Sequence, residues 1–352
     1  MELAGKRVLI TGGTGSLGKV LTARILAGEL GQPKKVIIFS RDEAKQHDMR
    51  MAYQHRRVAT DEVIYHNFTK LLEFRIGDVR DLHSVASALR EADLVFNAAA
   101  LKQVPTCEYF PFEAVRTNIE GAENIVRAIR ELHLPVETVV GISTDKACKP
   151  VNVMGMSKAI QERIFISANL SCPSTRFICV RYGNVLASRG SVIPLFLDQI
   201  KHGGPVTLTS LTMTRFLLSL NQAVDVIFAA VQSARAGETY IPQVPSARVL
   251  DIATALIGDR PIQTQVIGVR PGEKTHEILI TEEECYRSLE RGNYYVIKPI
   301  LPEIAQEAHS GPALAAEYSS ELNILTLEET KKFLAAHQLL PEQHPETGEL
   351  LR

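Results

Sequence analysis

The sequence has 352 residues and a formal net charge of −1 at pH 7, enough chain for a complete α/β core and a smaller second lobe. Its charged residues are spread out without a basic tract, which argues against a nucleic-acid partner. The five cysteines lack CxxC spacing, so we predict reduced thiols, no disulfide framework and no metal site. Because no long apolar run and no signal-like N-terminus occurs, we expect a soluble cytoplasmic protein without a membrane partner.

Strands and helices are predicted to alternate along residues 1–182. Apolar, β-branched runs predict strands at residues 7–11, 35–39, 72–76, 94–97, 136–142 and 176–182. Amphipathic stretches predict helices at residues 19–29, from about 81, at 112–132 and from 152 to about 168. This alternation predicts an α/β fold, with a right-handed, doubly wound parallel sheet of the Rossmann type.

The rest of the chain has a less regular pattern. Strand-like pieces are predicted at residues 205–215 and 240–244, a helix at 249–257 and a loop at 270–274. We therefore predict a Rossmann domain at residues 1–182 and a smaller, mixed substrate lobe at 183–301, some of whose segments return to the Rossmann core. Residues 302–352 predict a peripheral tail with one short helix at 327–337.

A glycine-rich turn lies between the first predicted strand and the first predicted helix. Its members are Gly12, Thr14, Gly15, Ser16, Leu17 and Gly18. Glycines permit a tight turn and close backbone approach, and a helix N-terminus offers free amides to a pyrophosphate. The stretch nearly matches a P-loop, but Val20 stands where a serine or threonine would hold magnesium. We therefore predict a dinucleotide site rather than a P-loop.

The ends of the second and third strands predict the adenosine half of that site. Ser40 and Arg41 supply a hydroxyl and a guanidinium, which suit a 2′-phosphate and favour NADP over NAD. The alternative is that Arg41 is only a solvated loop residue. Asp78, followed by Val79, can accept from an adenine amine or cap the next helix.

The segment after the fourth strand is expected to pass beside the nicotinamide. The small residues Ala98, Ala99 and Ala100 let a cofactor lie close to the backbone. Lys102 can contact the cofactor or a substrate phosphate or sugar, and Cys107 can line the sugar pocket. The alternatives are a surface lysine and a buried small apolar residue.

Residues 143–158 combine a hydroxyl, a carboxylate and two amines. Thr144, Asp145 and Lys146 follow the fifth strand, at the sheet edge where doubly wound folds place ligands. Met154 and Lys158 are four residues apart and so share one face of the next helix. The pattern predicts a catalytic crevice; the alternative is a helix-capping Asp145 beside an exposed Lys146.

These motifs resemble the extended short-chain dehydrogenase/reductases. The chain is most similar to the nucleotide-sugar 4,6-dehydratases of bacterial polysaccharide and flagellar-glycan pathways, in particular to the UDP-N-acetylglucosamine 4,6-dehydratases that invert carbon 5. The similar blocks lie in order over about the first 285 residues, at residues 11–18, 39–43, 77–81, 98–107, 143–158, 181–185, 188–196, 213–216 and 270–274.

The resemblance implies an NADP-dependent lyase with a tightly bound, recycled cofactor. In such enzymes a hydride leaves sugar C4 for the nicotinamide, C5 loses a proton, water leaves across C5 and C6, and the hydride returns to C6. The matching positions imply that Asp145 is the acid and Lys146 the base of this elimination. We expect Lys158 to lower the pKa of Lys146 by like-charge repulsion, with burial acting in the same direction.

Met154 departs from the reductase pattern. A tyrosine is expected four residues before Lys158, and a thioether cannot remove the C4 hydroxyl proton as a phenolate does. Lys158 with Thr144 can replace it, or Asp145 can serve both steps; otherwise the chain is a non-catalytic NADP-binding relative. We favour an active enzyme because the Asp145–Lys146 pair is intact.

The resemblance also implies a substrate set and an assembly. Positions matching those around the nucleotide and sugar are Lys102, Asn184, Arg189, Arg215, Arg270 and Glu273. Arginine forks suit a diphosphate, although any one of them can instead bridge two lobes. Cys107 and Lys146 are candidates for handling the C5 proton on the two faces of the sugar. We expect a homo-oligomer, a hexamer or dimer; the nearest alternative activity is C5-retaining dehydration of UDP- or GDP-N-acetylglucosamine.

Overall fold

The computed structural model describes residues 2–54, 70–186, 191–305 and 312–341. Its strands are β1 (Arg7–Thr11), β2 (Lys35–Ser40), β3 (Leu72–Ile76), β4 (Leu94–Asn97), β5 (Thr138–Thr144), β6 (Arg176–Tyr182), β7 (Val206–Leu208), β8 (Thr214–Phe216), β9 (Thr239–Pro242), β10 (Ser246–Arg248), β11 (Thr264–Val266), β12 (Ile278–Ile280), β13 (Ser288–Arg291), β14 (Tyr294–Ile297) and β15 (Tyr318–Ser319). Its helices are α1 (Ser16–Leu26), α2 (Glu43–Gln54), α3 (Leu82–Leu89), α4 (Val104–Tyr109), α5 (Pro111–Ala114), α6 (Gly121–Leu132), α7 (Val153–Ser171), α8 (Val192–Lys201), α9 (Leu220–Ser233), α10 (Val249–Ile257), α11 (Glu282–Cys285) and α12 (Leu327–Ala336).

The largest sheet confirms the predicted doubly wound Rossmann fold. Its strand order is β13-β14-β9-β6-β5-β4-β1-β2-β3, and the strands from β3 across to β9 are parallel. β14 pairs antiparallel with β9, and β13 pairs antiparallel with β14; both strands come from the second half of the chain, which therefore contributes to the large sheet. Parallel strands bury both faces, which explains their continuous apolar sequences.

The register of the sheet brings the polar ends of its central strands together. Thr11 lies opposite Asn97 between β1 and β4, and Asn97 lies opposite Gly141 between β4 and β5. β5 continues to Thr144, two residues beyond its predicted end, because Thr144 still pairs with Tyr182 of β6. The glycine turn after β1 and residues 145–147 after β5 therefore lie at the same edge of the sheet.

The helix predicted at residues 112–132 is interrupted by one wider turn. α5 passes into a π-helical turn, Val115–Glu120, before α6 begins at Gly121. This turn carries Asn118, whose amide bonds both backbone groups of Leu101 and donates to the Ser157 hydroxyl at 2.9 Å. Wider turns of this kind occur often near functional sites, and here the turn joins the loop after β4 to α7.

The second lobe contains α8, α10, α12 and the short strands β7, β8, β10 and β11. It has a separate apolar core, to which Phe196, Leu256 and Leu334 contribute fully buried side chains. α9 packs instead against α1 and the large sheet. Among the described residues, no helix is long and apolar enough to cross a membrane.

The described part of the C-terminal stretch, residues 312–341, is packed into the protein and is not peripheral as expected. β15 pairs with β12, and the buried Tyr318 hydroxyl donates to the Val244 carbonyl and accepts from the Val244 amide, each at 2.9 Å. α12 packs against α10. The helix itself agrees with the prediction for residues 327–337. The division of the chain at residues 182 and 301 remains a prediction.

Replacing Leu334 by alanine tests how firmly the C-terminal helix belongs to the core. Leu334 is 0% exposed, so Leu334→Ala is expected to lower the free energy of unfolding by about 2–4 kcal/mol in urea titrations. The exposed Lys332 on the same helix provides the control, because Lys332→Ala should change it by less than about 0.5 kcal/mol. Equal, small effects of both substitutions would contradict this packing.

Candidate active site

The glycine turn after β1 is built to bring backbone close to a ligand. Gly12 has a φ of +65°, and a Cβ there would lie 2.8 Å from the Ala99 backbone. A Cβ on Gly18 would lie 2.5 Å from the Gly13 backbone. Gly15 is the N-cap of α1, which begins at Ser16 rather than near Lys19, and no side chain caps its amides. The turn therefore presents a helix N-terminus to which a pyrophosphate can bind.

The adenosine end of the predicted cofactor site has the expected hydroxyls and guanidinium. The Thr14 and Ser40 hydroxyls lie 3.1 Å apart, and the exposed Arg41 side chain is beside them in sequence. Arg41 is 3.8 Å from the Asp78 carboxylate, which is bound more closely by Arg80, at 2.6 Å. Partial burial raises the pKa of Asp78, but the hydrogen bonds and charge of Arg80 lower it by more. The net shift of the pKa is therefore downward, and this carboxylate is charged.

The alternative role of Asp78 as a helix cap is not what the structure shows. Asp81 is the N-cap of α3, and its side chain accepts from the His83 amide. Val79 is buried, and its carbonyl accepts from Asn124 at 2.9 Å.

On the other side of β1, next to β5, the end of β4 carries a row of small side chains. The Thr11 hydroxyl donates to Asn97 at 2.7 Å and accepts from the Ala99 amide at 3.2 Å. Ala98, Ala99 and Ala100 are half-buried. The fold thus leaves a shallow, mostly apolar surface that leads from the glycine turn towards β5.

A buried carboxyl lies directly after the end of β5. Asp145 begins a short 3-10 turn, Asp145–Ala147, and is 1% exposed. Its Oδ1 accepts from the Thr144 hydroxyl at 2.7 Å and from Lys146 Nζ at 3.2 Å. Its Oδ2 is buried and has no hydrogen-bond partner among the described residues. Asp145 is therefore part of a polar cluster and does not cap a helix.

Lys146 has two further neighbours. Its Nζ lies 3.3 Å from Glu277 Oε1 and 3.4 Å from Asn184 Oδ1. Glu277 precedes β12 and is 2% exposed, and Arg215 Nε is 3.8 Å from the same carboxylate oxygen. Asn184 and Arg215 were predicted from the sequence as substrate-binding residues. Glu277 was not predicted, because it lies in none of the motifs.

Burial and charge act in opposite directions on this cluster. Burial raises the pKa of Asp145, and Glu277 adds to the rise while Lys146 opposes it. Burial by itself lowers the pKa of Lys146, but Asp145 and Glu277 outweigh it, so the pKa is raised above its ordinary value. Each of the two groups therefore holds its proton to a higher pH than the same side chain does in water.

The expectation that Lys158 lowers the pKa of Lys146 is wrong. The Lys158 amine donates to the Ile142 carbonyl at 2.5 Å and to Gln161 Oε1 at 2.7 Å, and it makes no contact with Lys146. Burial lowers the pKa of Lys158 itself to about 8. Gln161, three residues further along α7, was not predicted.

Met154 and Cys107 lie together in an apolar cluster instead of facing polar groups. They pack with Ala114, Leu101 and Val104. Cys107 is fully buried, its thiol contacts the Leu101 carbonyl, and burial, aided by Glu108, raises its pKa to about 11. These observations favour the alternative of a buried small apolar residue over a proton-transferring thiol.

The predicted substrate residues divide into three groups. Asn184 and Arg215 lie at the Lys146 cluster. The Arg215 guanidinium also donates to the carbonyls of Thr214, Thr275 and Lys274, so it stabilises the loop that contains the last two of these residues. Arg270 and Lys102 are exposed, and Glu273 accepts from the Thr209 hydroxyl at 3.2 Å. Arg189 lies outside the described residues.

The loop at residues 270–274, a predicted loop, contacts the catalytic segment directly. Asn152, the N-cap of α7, donates to the Gly272 carbonyl at 2.8 Å, and Lys274 donates to the Cys148 carbonyl at 2.5 Å. A Cβ on Gly155 would lie 2.2 Å from the Lys146 carbonyl, so α7 packs directly on the Asp145–Ala147 turn. The second lobe thus closes over the edge of the sheet where the cluster lies.

The fold is that of the extended short-chain dehydrogenase/reductases, and similar proteins identify the family. A family described as "Polysaccharide biosynthesis protein" matches residues 8–299. A Rickettsia akari (strain Hartford) protein named UDP-glucose 4-epimerase is 40% identical over 349 residues, 96% of this chain and 98% of that protein. The same name is given to a Rickettsia prowazekii (strain Madrid E) protein, 43% identical over 83% of this chain and 82% of that protein. The chain belongs to this polysaccharide biosynthesis protein family.

Solved structures agree with this assignment of the fold. The structure of Pen from Bacillus thuringiensis is similar with a TM-score of 0.85 and 36% identity, over 97% of this chain and 100% of that one. DesIV from Streptomyces venezuelae, a dTDP-glucose 4,6-dehydratase with NAD and TYD bound, has a TM-score of 0.63 and 20% identity, over 76% and 86% of the two chains. At that identity the second likeness shows the fold alone.

The buried thiol of Cys107 predicts very slow alkylation in the native protein. With a pKa of about 11, roughly one thiol in a thousand is ionised at pH 8, against about a quarter of ordinary thiols. We expect iodoacetamide to modify Cys107 at least about a hundredfold more slowly than a free thiol, as followed by peptide mass spectrometry. Urea-unfolded protein is the control, and rapid native modification would indicate an accessible thiolate.

Proposed function

We propose that this protein is a nucleotide-sugar 4,6-dehydratase. The reaction converts UDP-N-acetylglucosamine to a UDP-2-acetamido-2,6-dideoxy-4-keto-hexose with inversion at C5. The observation that carries the proposal is the Asp145–Lys146 contact at the carboxyl edge of the sheet, since a buried acid beside an amine suits loss of water across C5 and C6. The substrate identity and the inversion rest on the motif resemblance.

NADP is the proposed cofactor, and the residues present fit a dinucleotide. The glycine turn with the uncapped start of α1 suits the pyrophosphate, and Thr14, Ser40 and Arg41 suit a 2′-phosphate. A bound nicotinamide would supply a hydride acceptor for C4 and the hydride donor for C6.

Asp145 is proposed to protonate the departing C6 hydroxyl. Burial raises the pKa of Asp145, so it holds a proton to higher pH than an ordinary carboxyl, and its Oδ2 is the carboxyl atom without a partner among the described residues. Lys146 is proposed to remove the C5 proton, for which it must first lose its own. Both side chains belong to one short turn after β5, so they can reach the same region of a sugar ring.

The Thr144–Asp145 hydrogen bond supports a route for the C4 hydroxyl proton that needs no tyrosine. The Thr144 hydroxyl donates to Asp145 Oδ1 at 2.7 Å, so it can pass a proton to the ionised carboxyl while accepting the C4 proton, and Asp145 then holds the proton that the C6 hydroxyl needs. Met154 is proposed to contribute only apolar surface beside the sugar. Lys158, which bonds to Ile142 and Gln161, is proposed to hold the end of β5 against α7 and the cofactor ribose nearby.

A second candidate is 4-epimerisation, the activity in the names of the Rickettsia relatives. An epimerase returns the hydride to C4 and eliminates nothing, so it leaves the Asp145–Lys146 pair without a role. It also needs a C4 hydroxyl base, where this chain has Met154. C5-retaining dehydration and a non-catalytic NADP-binding role are the remaining alternatives.

Asp145→Asn tests the proposed acid with little change in side-chain shape, because the amide is close in size to the carboxyl that it replaces. We expect formation of the 4-keto-6-deoxy product to fall by at least about a hundredfold, since an amide cannot supply the proton. Thermal stability and UDP-N-acetylglucosamine binding, measured by calorimetry, should persist. Asp251→Asn on α10 is the matched control and should keep full activity. Undiminished turnover in Asp145→Asn would contradict the assignment.

A further inference from the structure

Glu277 is the least expected member of the cluster, and its backbone is firmly held. The residue lies just before β12, with its amide donating to the Ser320 hydroxyl at 2.9 Å and its carbonyl accepting from the Ser320 amide at 2.8 Å. Its side chain is 3% exposed and extends to Lys146, which belongs to a distant part of the sequence. The second lobe thus supplies one carboxylate to a site otherwise built at the end of β5.

The contacts of Glu277 do not explain its burial as a structural requirement. Lys146 already has a carboxyl partner in Asp145, and Arg215 already donates to three backbone carbonyls. Glu277 Oε2 is buried without a hydrogen-bond partner among the described residues. A buried carboxylate with one unsatisfied oxygen costs stability, and such groups are retained mainly where they serve a function.

Charged groups face Glu277 from three of the segments around it, whereas the segment after β15 contributes the uncharged Ser320. Lys146 approaches from the turn after β5, Arg215 from β8 and Lys274 from its own loop, while Asp145 lies beyond Lys146. The neighbouring His276 turns away towards Thr214 and Glu321. The site therefore contains two carboxyls that share one ammonium group, with Arg215 beside the same Glu277 oxygen that Lys146 contacts.

We propose that Glu277 is a positioning residue of the active site, whose carboxylate holds the Lys146 amine beside Asp145 and sets how protons are shared between those two groups. This inference rests on the proposed function, because it assigns the pair to proton transfer. A negative charge at Glu277 stabilises the ammonium form of Lys146 and disfavours a second negative charge on Asp145. Both members of the pair then keep their protons to higher pH.

Competitive labelling with acetic anhydride tests this without any substrate. The reagent modifies neutral amines, and the Lys146 side chain is 21% exposed, so its rate against pH reports the pKa of Lys146. In the wild-type protein Lys146 should label as an amine with a pKa above the ordinary value, with the exposed Lys332 as reference. In Glu277→Gln, which keeps shape but removes charge, the midpoint should fall by about one pH unit.

The pH dependence of turnover provides the second readout. Loss of the Glu277 charge lowers the pKa values of Lys146 and Asp145 alike. Both limbs of the bell-shaped profile should therefore move to lower pH by about one unit, with little change in KM. Glu277→Asp, which restores the charge, should move the profile back towards that of the wild type. Damage to packing alone would lower activity without moving the limbs.

Glu284→Gln is the matched control, because Glu284 is also buried in the second lobe but binds Arg181 and not Lys146. It should leave the labelling midpoint of Lys146 unchanged. An unchanged midpoint in Glu277→Gln, or a wild-type Lys146 that labels below the ordinary pKa, would overturn the inference. A labelling shift in a protein that dehydrates no nucleotide sugar would support the charge assignment and refute the proposed function, so the two failures are distinguishable.

Discussion

The buried contact between Asp145 and Lys146 is the interaction on which the rest of this account depends. Two ionisable groups removed from water at the carboxyl edge of a parallel sheet are costly unless neighbouring groups compensate them. Here Thr144, Asn184 and Glu277 provide that compensation, from β5, from the loop after β6 and from the second lobe. The site is therefore complete only when both halves of the chain are folded together.

Much of the remaining structure fixes the elements that carry this cluster. Arg181 of β6 is buried between Glu162 of α7 and Glu284 of α11, with contacts of 2.6 and 2.7 Å. This triad joins the helix that carries Met154 and Lys158 to the segment that follows Glu277. Removing Arg181 would leave two uncompensated buried carboxylates, so Arg181 is expected to tolerate substitution poorly.

The sequence predicted what local patterns determine. β1, β3, β4 and β6 have their predicted bounds, because each is a short apolar run closed by a turn signal. α9 was not predicted, although the sequence contains a signal for the start of this helix, the capping box formed by Ser219 and Gln222. Glu277 could not have been found, since its role depends on Lys146 and Arg215, which are distant in sequence. The same limitation led to the wrong expectation that Lys158 approaches Lys146.

Proton NMR of the purified protein with UDP-N-acetylglucosamine in heavy water, without added cofactor, tests the central claim most directly. The account predicts a 6-deoxy-4-keto nucleotide sugar that carries deuterium at C5, with no accumulation of reduced nicotinamide. The methyl signal at C6 and the loss of the C5 proton report the elimination that Asp145 and Lys146 are proposed to perform. Conversion to the C4 epimer alone, with C5 and C6 unchanged, would contradict the account.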